Sequence, residues 1–99
     1  MSATKLDPNK LTWVHLNDRN QLPTAGGVYF AIDRTGKCLY VGSTTNLRQR
    51  LKSHHRMFDF CKLGVEKLHW QHVKTEHLII LRKLEEAYIE VFQPLLNTN

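Results

Sequence analysis

The sequence is poor in the features that define secreted, membrane-spanning or fibrous proteins. Its 99 residues hold two cysteines, Cys38 and Cys61, with five glycines and three prolines. Two cysteines do not build a disulfide scaffold, so both are expected as reduced thiols in an intracellular protein. The longest aliphatic run, Leu78-Ile79-Ile80-Leu81, falls far short of the ~20 residues that span a bilayer. The first residues, Met1 to Asp7, contain no apolar stretch of signal-peptide length. No membrane association is expected, and the expected location is cytoplasmic, nucleoid-associated in a prokaryote. At this length a single domain is expected. Acidic residues are missing from one stretch in particular: Arg34 to Phe58 contains no Asp or Glu, and six of the nine acids follow from Asp59 onward.

That acid-free window holds Arg34, Lys37, Arg48, Arg50, Lys52 and Arg56 in a chain of formal charge +5. A one-sided basic segment fits a polyanionic partner, nucleic acid first; a solvated helix face gives the same pattern. The composition, 41% hydrophobic and 23% charged, is that of a folded domain rather than a disordered tail.

Residues 1–21 read as a partly ordered extension, with Trp13-Val14-His15-Leu16 as a short strand or turn. Leu22 to Gly27 is a loop. Val28-Tyr29-Phe30-Ala31-Ile32 and Cys38-Leu39-Tyr40-Val41 are rich in β-formers around a short turn containing Gly36, the pattern of a β-hairpin. A helix is expected from Leu47 to Met57 behind the capping residues Ser43 to Asn46, with Leu47, Leu51 and Phe58 facing the core. Arg50 and His54, four apart, would be neighbours on its surface. Residues 66–73 read as a third strand. A last helix is expected from Thr75 to Phe92.

At ~100° per residue along that helix, Leu81, Leu84, Ala87, Tyr88, Ile89, Val91 and Phe92 fill one broad arc. Glu76, Lys83, Glu86 and Glu90 fall opposite, where solvated charge belongs. Glu85 falls inside the apolar arc. A lone carboxylate there costs several kcal/mol unless it is paired or holds a cation. Glu85 is thus either a boundary residue that reaches water or an arginine, or a metal-binding or catalytic carboxylate in a cleft.

Gly27-Val28-Tyr29, ten intervening residues and then Tyr40-Val41-Gly42 resemble the paired motifs of the GIY-YIG nuclease superfamily. Arg50 stands ten residues after Tyr40 and His54 four further on, where that family's helix carries its arginine and a histidine or tyrosine. Leu84-Glu85-Glu86-Ala87 followed by Phe92-Gln93-Pro94-Leu95-Leu96-Asn97 resembles the family's closing glutamate, proline and asparagine. The likeness covers residues 22–97. Ser43 stands where the excinuclease-like, DNA-repair branch of the family often has lysine, a departure that weakens the likeness to that branch.

The resemblance implies a small α/β (α+β) domain over residues 22–99, a three-stranded sheet with a β-hairpin flanked by helices. It implies hydrolysis of DNA phosphodiesters with one Mg²⁺ or Mn²⁺ ion. In that reading Glu85 holds the metal and Arg50 grips a phosphate oxygen with its planar fork of donors. The attacking water's base is Tyr29, Tyr40 or His54. A tyrosine with an ordinary pKa of ~10 needs help to ionise, whereas His54 with an ordinary ~6.5 does not. Asn97 is expected to orient a hydroxyl, a water or the Glu85 region, and Gly27 and Gly42 to give the motifs their backbone shape, Gly42 by a tight turn. Arg48, Lys52 and Arg56 are expected on the DNA backbone. Cutting with little sequence preference, recognition of a DNA shape, a homodimer or a separate targeting protein are the open routes to target choice. A non-cleaving nucleic-acid module of the same fold, an RNA-directed nuclease and a metal-free protein-interaction domain are the alternatives.

Other constellations are weaker. His69 and His72 share a strand but face opposite sides, Cys38 and Cys61 lack zinc-site partners, and the adjacent His54 and His55 diverge on a helix. Trp13 and Trp70 read as packing groups before base-stacking ones.

Overall fold

The computed structural model describes residues 6–74 and 77–97. Its centre is an antiparallel sheet of four strands: β1 (Trp13–His15), β2 (Gly27–Asp33), β3 (Cys38–Thr44) and β4 (Val65–His72). The hydrogen-bonded order is β1-β4-β2-β3. Between β3 and β4 lie two short helices, α1 (Leu47–Lys52) and α2 (Met57–Lys62), and after β4 comes α3 (Leu78–Phe92).

β2 pairs on both sides and is covered on both faces, so its residues are buried from Gly27 to Ile32. Alternation divides them between two cores. Tyr29 and Ala31 join Leu47, Leu51 and Phe60 under α1 and α2, while Val28, Phe30 and Ile32 meet Tyr88 of α3. The hairpin expected from sequence is present. Its turn is set by the Asp33 carboxylate, which accepts from the Thr35 and Lys37 amides at 2.9 and 3.0 Å, and by Gly36 at φ +91°. Leu39 is the extra residue of a bulge opposite Ala31/Ile32. It lets Leu39 and Tyr40 in succession reach the same core.

Several expectations change. The sheet has four strands rather than three, because Trp13-Val14-His15, read from sequence as strand or turn, pairs with β4. The single helix from Leu47 to Met57 is two helices, broken at Ser53 (φ −141°, ψ 69°). The break resets the helical register, so Phe58 is exposed and Phe60 takes the core position. It also takes His54 off the helix and turns it inward, 5% exposed. α3 is described from Leu78; the expected start at Thr75, and Glu76, lie outside the described residues. Among the described residues no helix is long and apolar enough to cross a membrane, and both cysteines are free thiols.

Gly42 does not make the expected turn. It lies inside β3 opposite Tyr29, and a Cβ there would overlap the end of the Tyr29 ring and its hydroxyl. Gly27 plays the matching part on β2, where a Cβ would strike the Gln71 carbonyl. Both glycines are demanded by close approach rather than by backbone conformation. Gly42→Ala is therefore expected to lower unfolding free energy by about 1–3 kcal/mol, the usual cost of overpacking. Urea denaturation of the variant checks this, and an unchanged midpoint would mean that Tyr29 can move aside freely.

Candidate active site

The site forms where the two cores meet, at the outer strand β3. Register brings Tyr29 and Tyr40 together: Tyr29 sits opposite Gly42 and Tyr40 opposite Ala31, so both rings emerge on the α1/α2 side of neighbouring strands. Their centroids are 6.2 Å apart. Alternation sends Ser43 to the α3 side, where its hydroxyl donates to Glu85 Oε1 at 2.6 Å. Glu85 is half-buried, and with Ser43, Thr44, Arg50 and Arg82 it lines a polar cleft of about 450 Å³.

Glu85 is thus neither stranded in an apolar core nor turned into bulk water. The broad arc in which the sequence placed it is itself uneven: Leu81 and Tyr88 are buried, but Leu78 is 44% and Val91 37% exposed. Arg82, one turn before Glu85, was not singled out from sequence. The i, i+3 spacing from Glu85 was the available signal.

His54 is held from both ring nitrogens. The Arg56 backbone N–H donates to Nδ1 at 3.0 Å, and Nε2 lies 2.7 Å from the Tyr29 hydroxyl. An amide can only donate, so Nδ1 carries no proton. In the neutral ring the proton is then on Nε2 and is given to Tyr29. The ring is also packed against Phe60, centroids 5.0 Å apart, and His55, at 4.6 Å. Burial first, then the neighbouring His55, Arg50 and Arg56, push its pKa down to about 3. The ring is therefore neutral at about pH 7.

The Tyr29 hydroxyl accepts from His54 Nε2–H. The Arg50 guanidinium lies near it, and the nearness of the phenol holds Arg50 more firmly protonated than usual. Burial nevertheless dominates and raises the Tyr29 pKa well above that of a free phenol. Tyr40 is shifted the same way, by burial and then by Glu85. Both tyrosines are neutral phenols at rest, and both feel the Glu85 charge. The two phenols therefore lie near enough to feel both the guanidinium and the carboxylate, while Arg50 and Glu85 line the cleft itself.

Asn97 does something other than expected. Its side-chain oxygen accepts from the Val41 N–H at 2.7 Å and its amide donates to the Val41 carbonyl at 2.9 Å. It completes the open edge of β3 between Tyr40 and Gly42 and pins the C-terminal turn Leu95–Asn97 there. Among the described residues it makes no hydrogen bond to Glu85 or to a hydroxyl.

The expected backbone-binding cations separate. Arg56 is turned into the protein: it pairs with Asp59 at 3.3 Å and donates to the Leu96 carbonyl at 3.0 Å. Arg48 donates Nε–H to the Leu22 carbonyl at 2.7 Å. With Lys52, Asn17, Arg19 and Asn20 it lines a hollow of about 360 Å³ that shares no wall with the Glu85 cleft. His69 is buried and bonded to the Leu11 carbonyl, and His72 is exposed and bonded to the Gly26 carbonyl. Trp13 is 42% exposed with the Lys67 ammonium 4.2 Å over its ring, and Trp70 packs on the α1/α2 core.

A divalent ion suits this donor set. Among the described residues no three His, Cys, Asp or Glu side chains converge, so the carboxylate of Glu85 would be the main protein ligand. Its Oε2 has no hydrogen-bond partner among the described residues, while Ser43 fixes Oε1. Mg²⁺ is commonly bound in this way, by one or two carboxylates with water and phosphate oxygens completing the shell.

Residues 25–99 match the family described as the GIY-YIG catalytic domain. The chain belongs to that family, and it is an enzyme domain by class. The particular relatives narrow the neighbourhood. It is 37% identical over 83 residues to UvrABC system protein C of Trichlorobacter lovleyi, covering 78% of this chain and 13% of that protein. It is 32% identical over 80 residues to UvrABC system protein C of Caldicellulosiruptor saccharolyticus, covering 77% of this chain and 14% of that protein. The chain thus spans about an eighth of the length of the curated relatives it matches. Its fold is that of the GIY-YIG N-terminal endonuclease domain of UvrC from Thermotoga maritima bound to its catalytic divalent cation, magnesium, with TM-score 0.68 and 24% identity over 84% of this chain and 96% of that one. A point mutant of the same domain gives TM-score 0.69 at 22% identity, over 85% and 96%. Ser43 therefore does not distance the chain from UvrC as its departure from lysine had suggested.

The neutral His54 has a consequence for stability. In the unfolded chain the imidazole takes up a proton near pH ~6.5, but in the folded chain only near pH 3. The stability that depends on a neutral ring is complete above the unfolded value and is lost as pH falls toward the folded one. His69, also lowered by burial, adds in the same direction. The melting temperature is expected to fall on acidification from pH ~7 to ~4, and to fall less in His54→Gln. Equal falls in the two proteins would remove His54 as a cause.

Proposed function

We propose that this chain is a metal-dependent endonuclease that hydrolyses DNA phosphodiesters at the Glu85 cleft. The observation that carries the reading is a half-buried carboxylate and a guanidinium lining one polar cleft, with a buried phenol close enough to feel both charges. The relatives are described as an endonuclease domain with a catalytic divalent cation, which supports the same assignment here.

Glu85 would hold a single Mg²⁺ or Mn²⁺, which when bound supplies positive charge to the phosphate and the leaving oxygen. Arg50 binds a non-bridging phosphate oxygen and keeps that oxygen close to Tyr29. Tyr29 is the base that takes the attacking water's proton, acting through its phenolate form. His54 is not the base: Nε2 already carries a proton, and Nδ1 is filled by the Arg56 amide. Instead His54 donates to the Tyr29 oxygen. With Arg50 it provides two donors that favour the phenolate against the burial that opposes it. Tyr40 stands beside Tyr29 and orients its hydroxyl or the water. Asn97 and Arg56 are positioning residues that keep β3 and the His54 loop in place.

Nicking of labelled or supercoiled DNA in Mg²⁺ or Mn²⁺ tests the activity, with RNA of the same sequence run alongside. Glu85→Ala is expected to lose on the order of a thousandfold in kcat, several kcal/mol of transition-state stabilisation, and chelation of the wild type by EDTA to do the same. Cleavage that survives both would end the metal mechanism.

The pH profile tests the base. A phenol with a raised pKa makes the rate climb steadily from pH ~6 to ~9. An imidazole base with a pKa of about 3 would leave it flat over that range. The climb is expected to persist in His54→Gln, which retains a donor, and to disappear together with activity in Tyr29→Phe. A flat wild-type profile would return the role to another group.

A further inference from the structure

The Glu85 cleft does not end at Arg50. Through Thr44, Thr45 and Arg50 it shares a wall with a second hollow of about 390 Å³. That hollow in turn shares Thr45, Asn46 and Gln49 with a larger cavity of about 930 Å³, whose further lining includes Thr24, His72, Lys74 and His77. Three concavities are thus one groove. It leads from the site, over the β3–α1 connection, to the end of β4.

The chemistry changes along this groove. At the α3 end the carboxylates Glu85 and Glu86 face it. Beyond Arg50, none of the described lining residues is acidic, and Arg50 and Lys74 are the full charges. Between them stand the Thr45 hydroxyl and the Asn46 and Gln49 side-chain amides, which can donate, while the Thr44 hydroxyl is engaged with the Asn46 backbone. His72 is anchored: its Nδ1–H donates to the Gly26 carbonyl at 3.1 Å, which leaves Nε2 without a partner among the described residues. No Phe, Tyr or Trp lines this part. Stacking of bases is therefore not provided for, whereas hydrogen bonds and charge for a sugar-phosphate chain are.

We propose that this groove receives the backbone of a single DNA strand on one side of the bond to be cut. Lys74, His72 Nε2 and the Gln49 amide take its phosphates, and Arg50 hands the strand over to the Glu85 cleft. The inference rests on the nuclease reading for its substrate, and it adds the path by which that substrate lies. It also demotes the basic hollow of Arg48 and Lys52, which is separate from the groove. Without aromatic platforms, the groove grips strands of different sequence alike.

The test uses the 99-residue chain and two double variants. Gln49→Glu with Lys74→Glu puts two negative charges into the groove at exposed positions. Arg48→Ala with Lys52→Ala empties the separate hollow. Binding of a fluorescent single-stranded DNA is measured in EDTA, where no cutting interferes, and steady-state cleavage is measured in Mg²⁺. The groove variant is expected to bind on the order of tenfold more weakly, with KM raised, kcat within about twofold, and the salt slope reduced by about 0.7 for the lost lysine contact. The other variant is expected to stay within about twofold in binding. Lys74→Ala, a milder change outside any helix or strand, is expected to move binding in the same direction.

Groove variants that bind like wild type, or a larger loss from the Arg48/Lys52 pair, would overturn the proposal. Weakened binding to a wild type that cuts nothing would support the groove while refuting the nuclease reading. Normal cutting with groove-independent binding would do the reverse.

Discussion

The structure depends most on one hydrogen bond, that between His54 and Tyr29. It joins a loop to the central strand, and its direction is fixed by a second hydrogen bond behind it, from the Arg56 amide. An imidazole so held cannot be a helix-surface residue, so the chain breaks after Lys52 and resumes as α2 at Met57. Phe60 then fills the core beside Tyr29 and Tyr40. The break in helix, the repacked aromatic and the fixed proton are one constraint seen at three levels.

The same constraint explains the supports around the site. Arg56 gives its amide to His54 and its guanidinium to Asp59 and the Leu96 carbonyl, so the loop and the C-terminal turn are tied together. Asn97 then fastens that turn to the β3 edge on both sides of Val41. An outer strand otherwise presents unpaired backbone groups. Here the strand that carries Tyr40 and Gly42 is closed at the position that matters for their placement. Gly42 completes the arrangement by leaving room for the Tyr29 ring.

Much of this was legible in the sequence where the signal is local. The hairpin follows from two β-rich runs around a Gly-containing turn, and Glu85 was singled out because helical spacing set it among apolar neighbours. The motif spacing brought Tyr29, Tyr40, Arg50 and Glu85 to one family pattern; Arg50 and Glu85 line one cleft, and both tyrosines lie near enough to feel their charges. What escaped depends on contacts between distant segments. Trp13–His15 could be read only as strand or turn, because three residues are too short to show a period and its place in the sheet is set by pairing with β4. The helix break at Ser53 has no proline or glycine to announce it; the tertiary bond to Tyr29 overrides local propensity. Asn97 was recognised by position, but its partner, a backbone 56 residues away, could not be read from spacing. The groove draws on Thr24, Gln49 and Lys74, residues that only the fold assembles.

The central claim is that His54 serves as a fixed donor to Tyr29 rather than as a titrating base. It is tested most directly by nitrogen-15 NMR of the His54 ring across pH ~5 to ~8, a range that brackets an ordinary imidazole pKa. The account predicts a proton on Nε2, none on Nδ1, and no change over that range. A ring that titrates near its ordinary value, or that carries its neutral-state proton on Nδ1, would contradict it.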